Sequence, residues 1–294
     1  MKTFIRRVIV FSIILLGYLA LTGAINYAVY SRSGPGLDDC SILIDGDSHT
    51  LTSLDPAMFD DAENISQTAE PYVVTYWKLK EIFSQMVPDT LILGFSPHNI
   101  SAFNDMKFSD KTWSTEIFSR IYPIQDLDAL ENIEVDYAEY YRVLLKETCL
   151  FPRADHDNYV GEYESSDISN LSDLEEAVER HYFYQGEEAG ISETAVSYLD
   201  SVIDLCEEAG VTPIITCNPV HESYYERIPD IILERFEEEL SDLREEGVLV
   251  IDMTTEDYPD SLFMNVDHLN EKGAKVFTEA VIRLIIPANA ADIK

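Results

Sequence analysis

Short runs of apolar residues alternate along this chain with longer segments that have helical spacing. Because these runs are apolar throughout instead of alternating apolar with polar, each predicts a strand that is buried on both faces. Strands of this kind, separated by helices, form parallel sheets with helices packed on both sides. We therefore predict a three-layer α/β domain. The predicted strands are SILID (41–45), TLILGF (90–95), VTPIITC (211–217) and VLVID (248–252).

The predicted helices lie between and after these strands. Apolar residues recur at helical spacing between Glu70 and Val87 and again in residues 191–209 and 230–246. Gly210 and Gly247 follow the last two segments and are predicted C-caps, because glycine tolerates the left-handed conformation that ends many helices. A final helix is predicted after Asn270, a good N-cap residue, to about residue 286.

The stretch between the second and third predicted strands is unusually long. We interpret residues from about 100 to 190 as an insertion that covers part of the domain, with an aromatic and acidic helix near 131–148 and a polar segment near 153–170. The sequence shows no internal repeat. Residues 39–294 are therefore predicted to form one α/β domain with this insertion.

The N-terminus carries an uncharged run from Val8 to Tyr30. Its 23 residues suffice to cross about 30 Å of hydrocarbon as a helix. Arg6 and Arg7 precede it, which favours a cytoplasmic stub (1–7), a transmembrane anchor (8–30), a linker (31–38) and an extracytoplasmic domain. A cleaved signal peptide is the alternative, although its apolar core is usually shorter.

The charge balance excludes one class of partner. The chain has 20 Lys and Arg residues against 55 Asp and Glu residues, a formal net charge of −35, and every acidic residue follows Arg32. A nucleic-acid-binding protein needs basic residues that neutralise phosphates. We therefore expect no nucleic-acid partner.

Polar side chains follow the predicted strands where those strands end. In parallel α/β sheets, ligands bind outside the carboxyl ends of the strands. Four of the six histidines follow strands in this way, so a functional site is predicted at this edge of the sheet. The candidate residues are Ser48, His49, His98, Asn99, His221, Asn265, Asp267 and His268.

Ser48 and His268 suggest nucleophilic catalysis. Ser48 follows a strand and a glycine and precedes a helical segment, a position where backbone N–H groups can stabilise an oxyanion. A serine at this position could also serve only as an N-cap. A serine hydroxyl needs a neighbouring base, and His268, before the last helix, could supply it.

Two motifs together resemble those of the SGNH/GDSL hydrolase superfamily, in particular its membrane-anchored, exported bacterial members. They are Gly46-Asp47-Ser48 after the first strand and Asn265-Val266-Asp267-His268-Leu269-Asn270 before the last helix. The resemblance implies a flavodoxin-like sheet, Ser48 as nucleophile and His268 as general base, with Asn64 and Asn99 as candidates for the oxyanion hole.

This chain departs from the family pattern three residues before the histidine, where Asn265 replaces the expected aspartate. We expect Asn265 to orient His268, with Asp267 as the alternative. Side chains of adjacent residues usually diverge, so Asp267 is expected to face solvent or to cap the following helix. On this basis Asn265→Ala is predicted to lose more activity than Asp267→Ala.

Three functions remain open from the sequence. The first is an extracytoplasmic serine esterase or O-acyltransferase without cofactor, acting on acyl esters such as O-acetyl groups of surface polysaccharide. The second is a non-catalytic carbohydrate-binding domain with the same fold. The third is a metal-dependent hydrolase, because carboxylates and imidazoles could converge on an ion. Its ligands would come from Asp45, Asp47, His49, His98, His221 and His268.

Overall fold

A computed structural model describes residues 1–184 and 186–289 of the chain, without the side chains of 286–289. Helices and strands alternate along the domain, as the apolar pattern predicts. The helices are α1 (Lys2–Tyr30), α2 (Ser48–Ser53), α3 (Tyr72–Phe83), α4 (Phe103–Met106), α5 (Ser114–Ile121), α6 (Tyr137–Leu145), α7 (Leu174–Tyr182), α8 (Glu193–Ala209), α9 (Glu222–Tyr225), α10 (Asp230–Glu245) and α11 (Glu271–Asn289). The strands are β1 (Ile42–Asp45), β2 (Ala62–Asn64), β3 (Thr90–Gly94), β4 (Phe183–Tyr184), β5 (Glu187–Glu188), β6 (Thr212–Cys217) and β7 (Leu249–Asp252).

Five strands form one parallel sheet in the order β2-β1-β3-β6-β7. The prediction of a parallel α/β sheet is confirmed, and all four predicted strands are present within one or two residues of their expected ends. The sheet also contains β2, which the apolar pattern does not reveal because its three residues include a glutamate and an asparagine. This order is a common one among doubly wound sheets. It places a crevice between β1 and β3, because the chain adds strands on one side of β1 first and then on the other side.

The two faces of the sheet bury different residues of the same strands. Leu43 and Leu91 face a core built with α3, α8 and α10. Ile44 and Ile92 face a second core, which α11 supplies with Phe277 and Val281. Neighbouring residues of a strand point to opposite faces, so runs without polar positions require helices on both sides.

The segment between β3 and α8 packs on the outside of α3. Val73 and Trp77 of α3 contact a third apolar cluster that includes residues of α5 and α6. The predicted helix near 131–148 begins later than expected, at Tyr137, and continues from Leu145 into a wider turn over Lys146–Leu150. This segment thus joins the domain through its own small core.

The structure confirms that the apolar N-terminal run forms one long helix. Helix α1 is long and apolar enough to cross a membrane, although a signal sequence would share these properties. Most of its apolar side chains are exposed, as a helix surrounded by lipid requires.

Candidate active site

Ser48 lies at the turn from β1 into α2. The strand ends at Asp45, Gly46 follows, and Asp47 caps the helix by accepting a hydrogen bond from the His49 backbone N–H at 2.9 Å. Ser48 is therefore the first residue of α2 and not its cap. Its Oγ lies 2.9 Å from Nε2 of His268, although the two residues are 220 positions apart in sequence.

His268 has two oxygen atoms at its other ring nitrogen. Its Nδ1 lies 3.0 Å from Oδ1 of Asn265 and 3.0 Å from Oδ1 of Asp267. Both oxygens are acceptors, which assigns the proton to Nδ1 and leaves Nε2 free to accept the Ser48 hydroxyl proton. This is the relative arrangement of nucleophile, base and orienting group found in serine hydrolases.

The expected orientation of Asp267 is wrong. Its side chain does not face solvent but is 1% exposed and directed at the imidazole. The reason is a tight turn, in which Oδ1 of Asn265 accepts the backbone N–H groups of Asp267 at 3.3 Å and of His268 at 2.8 Å. Asn265 therefore folds the turn that brings the neighbouring carboxylate under the ring.

His268 and Asp267 interact electrostatically, and each changes the pKa of the other. Burial alone would lower the pKa of His268, but the Asp267 carboxylate outweighs it and raises that pKa above 6.5. Burial alone would raise the pKa of Asp267, but His268 holds it well below its usual value. An ionised Asp267 is thus available to stabilise an imidazolium.

A second buried carboxylate, Asp47, organises the opposite side of the site. Its Oδ2 lies 2.5 Å from Nε2 of His98 and accepts a hydrogen bond from Nδ2 of Asn99 at 2.8 Å. Burial would raise the pKa of Asp47, but the neighbouring histidine and the hydrogen bonds hold it well below its usual value. His98 and Asn99 therefore fix the residue that precedes Ser48.

Four histidines pack against one another behind the serine. The His49 ring centroid lies 4.6 Å from that of His268 and 4.2 Å from that of His98, and His98 stacks on His181 at 4.6 Å. Burial is the main reason that the pKa of His49 falls to about 4 and that the pKa of His181 lies well below 6.5. His49 and His181 are therefore neutral at neutral pH.

Not every predicted residue belongs to this site. Asn64 donates both amide hydrogens to the carbonyls of Thr50 and Leu54, at 3.2 and 2.8 Å, so it cannot stabilise an oxyanion. It is needed there because α2 ends at Ser53, so the carbonyl of the C-cap residue Leu54 has no helical donor. Asn99 is engaged with Asp47 and with the backbone of Ser96 and does not line the cavity. The expectation of oxyanion donors at Asn64 and Asn99 is therefore not met.

His221 also lies elsewhere. It caps α9, its Nδ1 lies 2.7 Å from the Ser223 hydroxyl, and it lines a separate cavity with Asp260. Although His221 follows β6, its side chain belongs to the loops beyond β6 and β7, whereas the serine lies at the crevice near β1. The fourth histidine of the cluster, His181, comes instead from α7.

A cavity of about 300 Å³ opens beside Ser48 and His268. Several of its walls come from the long segment between β3 and α8, and sequence reasoning did not identify them. Lys107 and Arg180 are the basic members, and burial lowers the pKa of Lys107 to about 7. The only hint in the sequence is that these basic residues lie beside aromatic ones. The walls from this segment are Phe103, Lys107, Trp113, Glu164, Arg180 and His181.

The donor set for a metal ion is smaller than the sequence suggests. Asp45 is bound by Lys78 Nζ at 2.7 Å, and His221 lies outside the cluster. Among the residues that the structure describes, one group could hold an ion, with ligand atoms from His49, Asp267 and His268 within 4.8 Å of one another. That group shares His268 and Asp267 with the serine arrangement, so the two chemistries would compete for the same side chains.

No protein-family model matches the chain, and a search of curated proteins finds no match.

Proposed function

We propose that this protein is a serine-dependent esterase or O-acyltransferase of the SGNH type, held at a membrane by its N-terminal helix. The observation that carries the proposal is the 2.9 Å contact between Ser48 Oγ and His268 Nε2, with Asp267 and Asn265 at Nδ1. The two sequence motifs at Gly46-Asp47-Ser48 and around His268, and the strand order of the sheet, support the same assignment.

In the proposed reaction, Ser48 attacks the carbonyl carbon of an acyl ester while His268 removes the hydroxyl proton. Asp267 stabilises the imidazolium that forms. The backbone N–H of Ser48, in the first turn of α2, is a candidate donor to the oxyanion. His268 then protonates the leaving alcohol, which departs and leaves an acyl-Ser48. Water or a second hydroxyl, deprotonated by His268, completes hydrolysis or transfer.

The cavity limits the size and character of the substrate. A volume of about 300 Å³ is at the lower end of ligand pockets, which suits a short acyl group with part of its alcohol. Trp113 offers an aromatic surface, and Arg180 with Glu164 offers polar contacts. These features suit an O-acetylated sugar. An extracytoplasmic location, as the basic residues at the start of α1 suggest, would give access to surface polysaccharide.

The test uses a fluorophosphonate probe, which reacts with activated serines. Wild-type protein should be labelled, Ser48→Ala should not, and Ser84→Ala, an exposed serine at the end of α3, should behave as wild type. Hydrolysis of an acetyl ester by His268→Ala should fall by about 10³-fold or more. Equal labelling of wild type and Ser48→Ala would remove Ser48 as the nucleophile.

One observation favours a metal-dependent hydrolase as the second candidate. The Nε2 atom of His49 and Oδ2 of Asp267 are buried without a hydrogen-bond partner and lie 3.5 Å apart. Buried polar atoms of this kind are sometimes metal ligands. This alternative would be established if chelation abolished the esterase activity, a divalent ion restored it, and the Ser48→Ala variant kept the wild-type activity. Sugar binding without turnover or labelling would indicate a carbohydrate-binding domain.

A further inference from the structure

The C-terminal half of α1 is docked on the domain. The Tyr18 hydroxyl donates to the Leu150 carbonyl at 2.6 Å, and the Tyr30 hydroxyl donates to the Pro123 carbonyl at 3.0 Å. Between them, Asn26 is 2% exposed and binds the turn after α6. The part of α1 that is free of the domain therefore ends near Gly17.

This free part is too short to cross a membrane by itself. The uncharged run begins at Val8, and the roughly ten residues to Gly17 rise about 15 Å as a helix. The hydrocarbon core is about 30 Å thick. If α1 crosses a membrane, the other half of the core must surround the stretch of α1 that contacts Leu150. The turn after α6 is then at membrane depth.

The exposed surface of α6 and of the turn after it suits that environment. Tyr137, Tyr141 and Leu145 recur every four residues and form one stripe on the outer face of α6, which Leu150 and Phe151 continue. Tyr137, Tyr141, Leu145 and Phe151 are between 50 and 66% exposed, while Tyr140 and Val143 of the same helix fill the inner core. Tyrosines followed by aliphatic residues and a phenylalanine match the change from membrane interface to hydrocarbon.

Three backbone carbonyls in and just after the turn accept hydrogen bonds from side chains of α1 and so do not need water. Nδ2 of Asn26 lies 2.9 Å from the Thr148 carbonyl and 2.8 Å from the Phe151 carbonyl, and Tyr18 binds that of Leu150. Carbonyls at the end of an exposed helix are usually hydrated. In hydrocarbon, such groups must find partners within the protein.

Two basic residues flank the stripe in a chain that is otherwise strongly acidic. Arg142 and Lys146 follow Tyr141 and Leu145 by one position each, and both are more than half exposed. Long basic side chains beside an apolar surface reach toward lipid phosphates while their stems remain in the apolar layer. The acidic side chains paired with them, Glu139 and Glu147, are mostly buried.

We propose that the α6 stripe, defined as Tyr137, Tyr141, Leu145, Leu150 and Phe151, inserts into the leaflet of the bilayer nearest the α/β domain, beside α1. The proposal rests on α1 crossing a membrane and not on catalysis at Ser48. The domain is then held at the bilayer by two elements, α1 and the α6 stripe. This fixes the cavity at a set distance from the lipid surface.

The test places one spin label at a time on the full chain in lipid nanodiscs. Cys149→Ser serves as the background, because Cys149 is partly exposed and the other three cysteines are buried. Labels are introduced by Phe151→Cys, by Ile14→Cys on α1 and by Ile168→Cys, which lies near the start of α11. These three native side chains are each 66% exposed. Oxygen and a water-soluble nickel complex then report the accessibility of each label.

The label at position 151 should resemble the one at 14, with strong relaxation by oxygen and little by nickel. The label at position 168 should show the opposite. Position 151 resembling position 168 while 14 lies in lipid would overturn the proposal. Nickel accessibility at position 14 would overturn it as well, because α1 would then not cross the bilayer. Neither result would bear on the reaction of Ser48 with the fluorophosphonate probe.

Discussion

At the scale of single residues, two oxygen atoms compete for Nδ1 of His268. Both lie at 3.0 Å, so distance does not separate Asn265 from Asp267. Charge does, because only Asp267 carries the negative charge that would stabilise an imidazolium in the proposed reaction. Asn265 accepts two backbone N–H groups with the same oxygen and so acts mainly on the turn. The prediction that Asn265→Ala loses more activity than Asp267→Ala assumes that Asp267 faces solvent. The structure does not show that orientation.

We therefore expect Asp267→Asn to lower turnover by about 10³ to 10⁴-fold, as for the equivalent change in serine proteases. The general base must be neutral, so wild-type activity should fall as the pH drops through the raised pKa of His268. Removal of the carboxylate lowers that pKa, and the acid limb of the pH–rate profile should move to lower pH. Asn265→Asp should retain activity. An Asn265→Ala variant that loses more activity than Asp267→Asn would show that the amide is the essential partner.

His49 makes a prediction about stability. Its folded-state pKa of about 4 lies below the unfolded value of 6.5, so the unfolded chain binds the proton more tightly. The contribution of His49 to the free energy of unfolding is therefore fully present above pH 6.5 and is lost as the pH falls toward 4. From this residue we expect a loss of about 2 kcal/mol between pH 7 and 5. Urea unfolding of wild type and His49→Asn at both pH values measures it, and a variant with the same pH dependence as wild type would contradict it.

At the scale of elements, one lysine joins α3 to the end of β1. Lys78 is fully buried, and its Nζ lies 2.7 Å from Asp45, 2.8 Å from Glu70 and 2.9 Å from the Ile65 carbonyl. Asp45 directly precedes Gly46-Asp47-Ser48. The lysine therefore holds the strand end from which the serine turn begins.

Replacing this lysine should destabilise the fold strongly. Lys78→Met leaves two buried carboxylates without a cation, which typically costs about 3–5 kcal/mol. Lys80→Met, on an exposed position of the same helix, should change stability by less than about 0.5 kcal/mol. Adding Glu70→Gln to Lys78→Met should recover part of the loss in urea unfolding. Equal stability of Lys78→Met and Lys80→Met would show that the buried ion pairs contribute nothing net.

At the scale of the whole molecule, the formal charge of −35 opposes the compact state. Self-repulsion of exposed acids is screened by salt, whereas the buried pairs of the site are screened little. Raising NaCl from about 0.02 to about 0.5 M should raise Tm by about 5 °C. This shift corresponds to an increase of roughly 1–2 kcal/mol in the free energy of unfolding.

Scanning calorimetry in detergent micelles measures this shift. Choline chloride at equal ionic strength serves as the control, because general screening does not depend on the cation. A Tm that is unchanged or lower at high salt would indicate that acidic repulsion does not limit stability.

The sequence alone determined the features that depend on neighbours along the chain. Helices α8 and α10 and strands β3 and β6 follow from apolar spacing, and Gly210 ends α8 with φ 75°, as a glycine C-cap does. Parallel pairing followed from strands that are apolar on both faces. The apolar N-terminal helix followed from composition. Local periodicity fixes such elements because the periods of helix and strand differ.

Only the tertiary structure decided which polar side chains meet. Ser48 and His268 could be paired from motifs, but His181, Lys107 and Arg180 come from a segment whose position no local pattern gives. Asn64 and His221 follow strands as the site residues do, yet their side chains go to other neighbours. The direction of Asp267 depends on a turn closed by one asparagine oxygen. Which partner a side chain meets depends on how segments distant in sequence pack together. The spacing of residues along the sequence does not specify that packing.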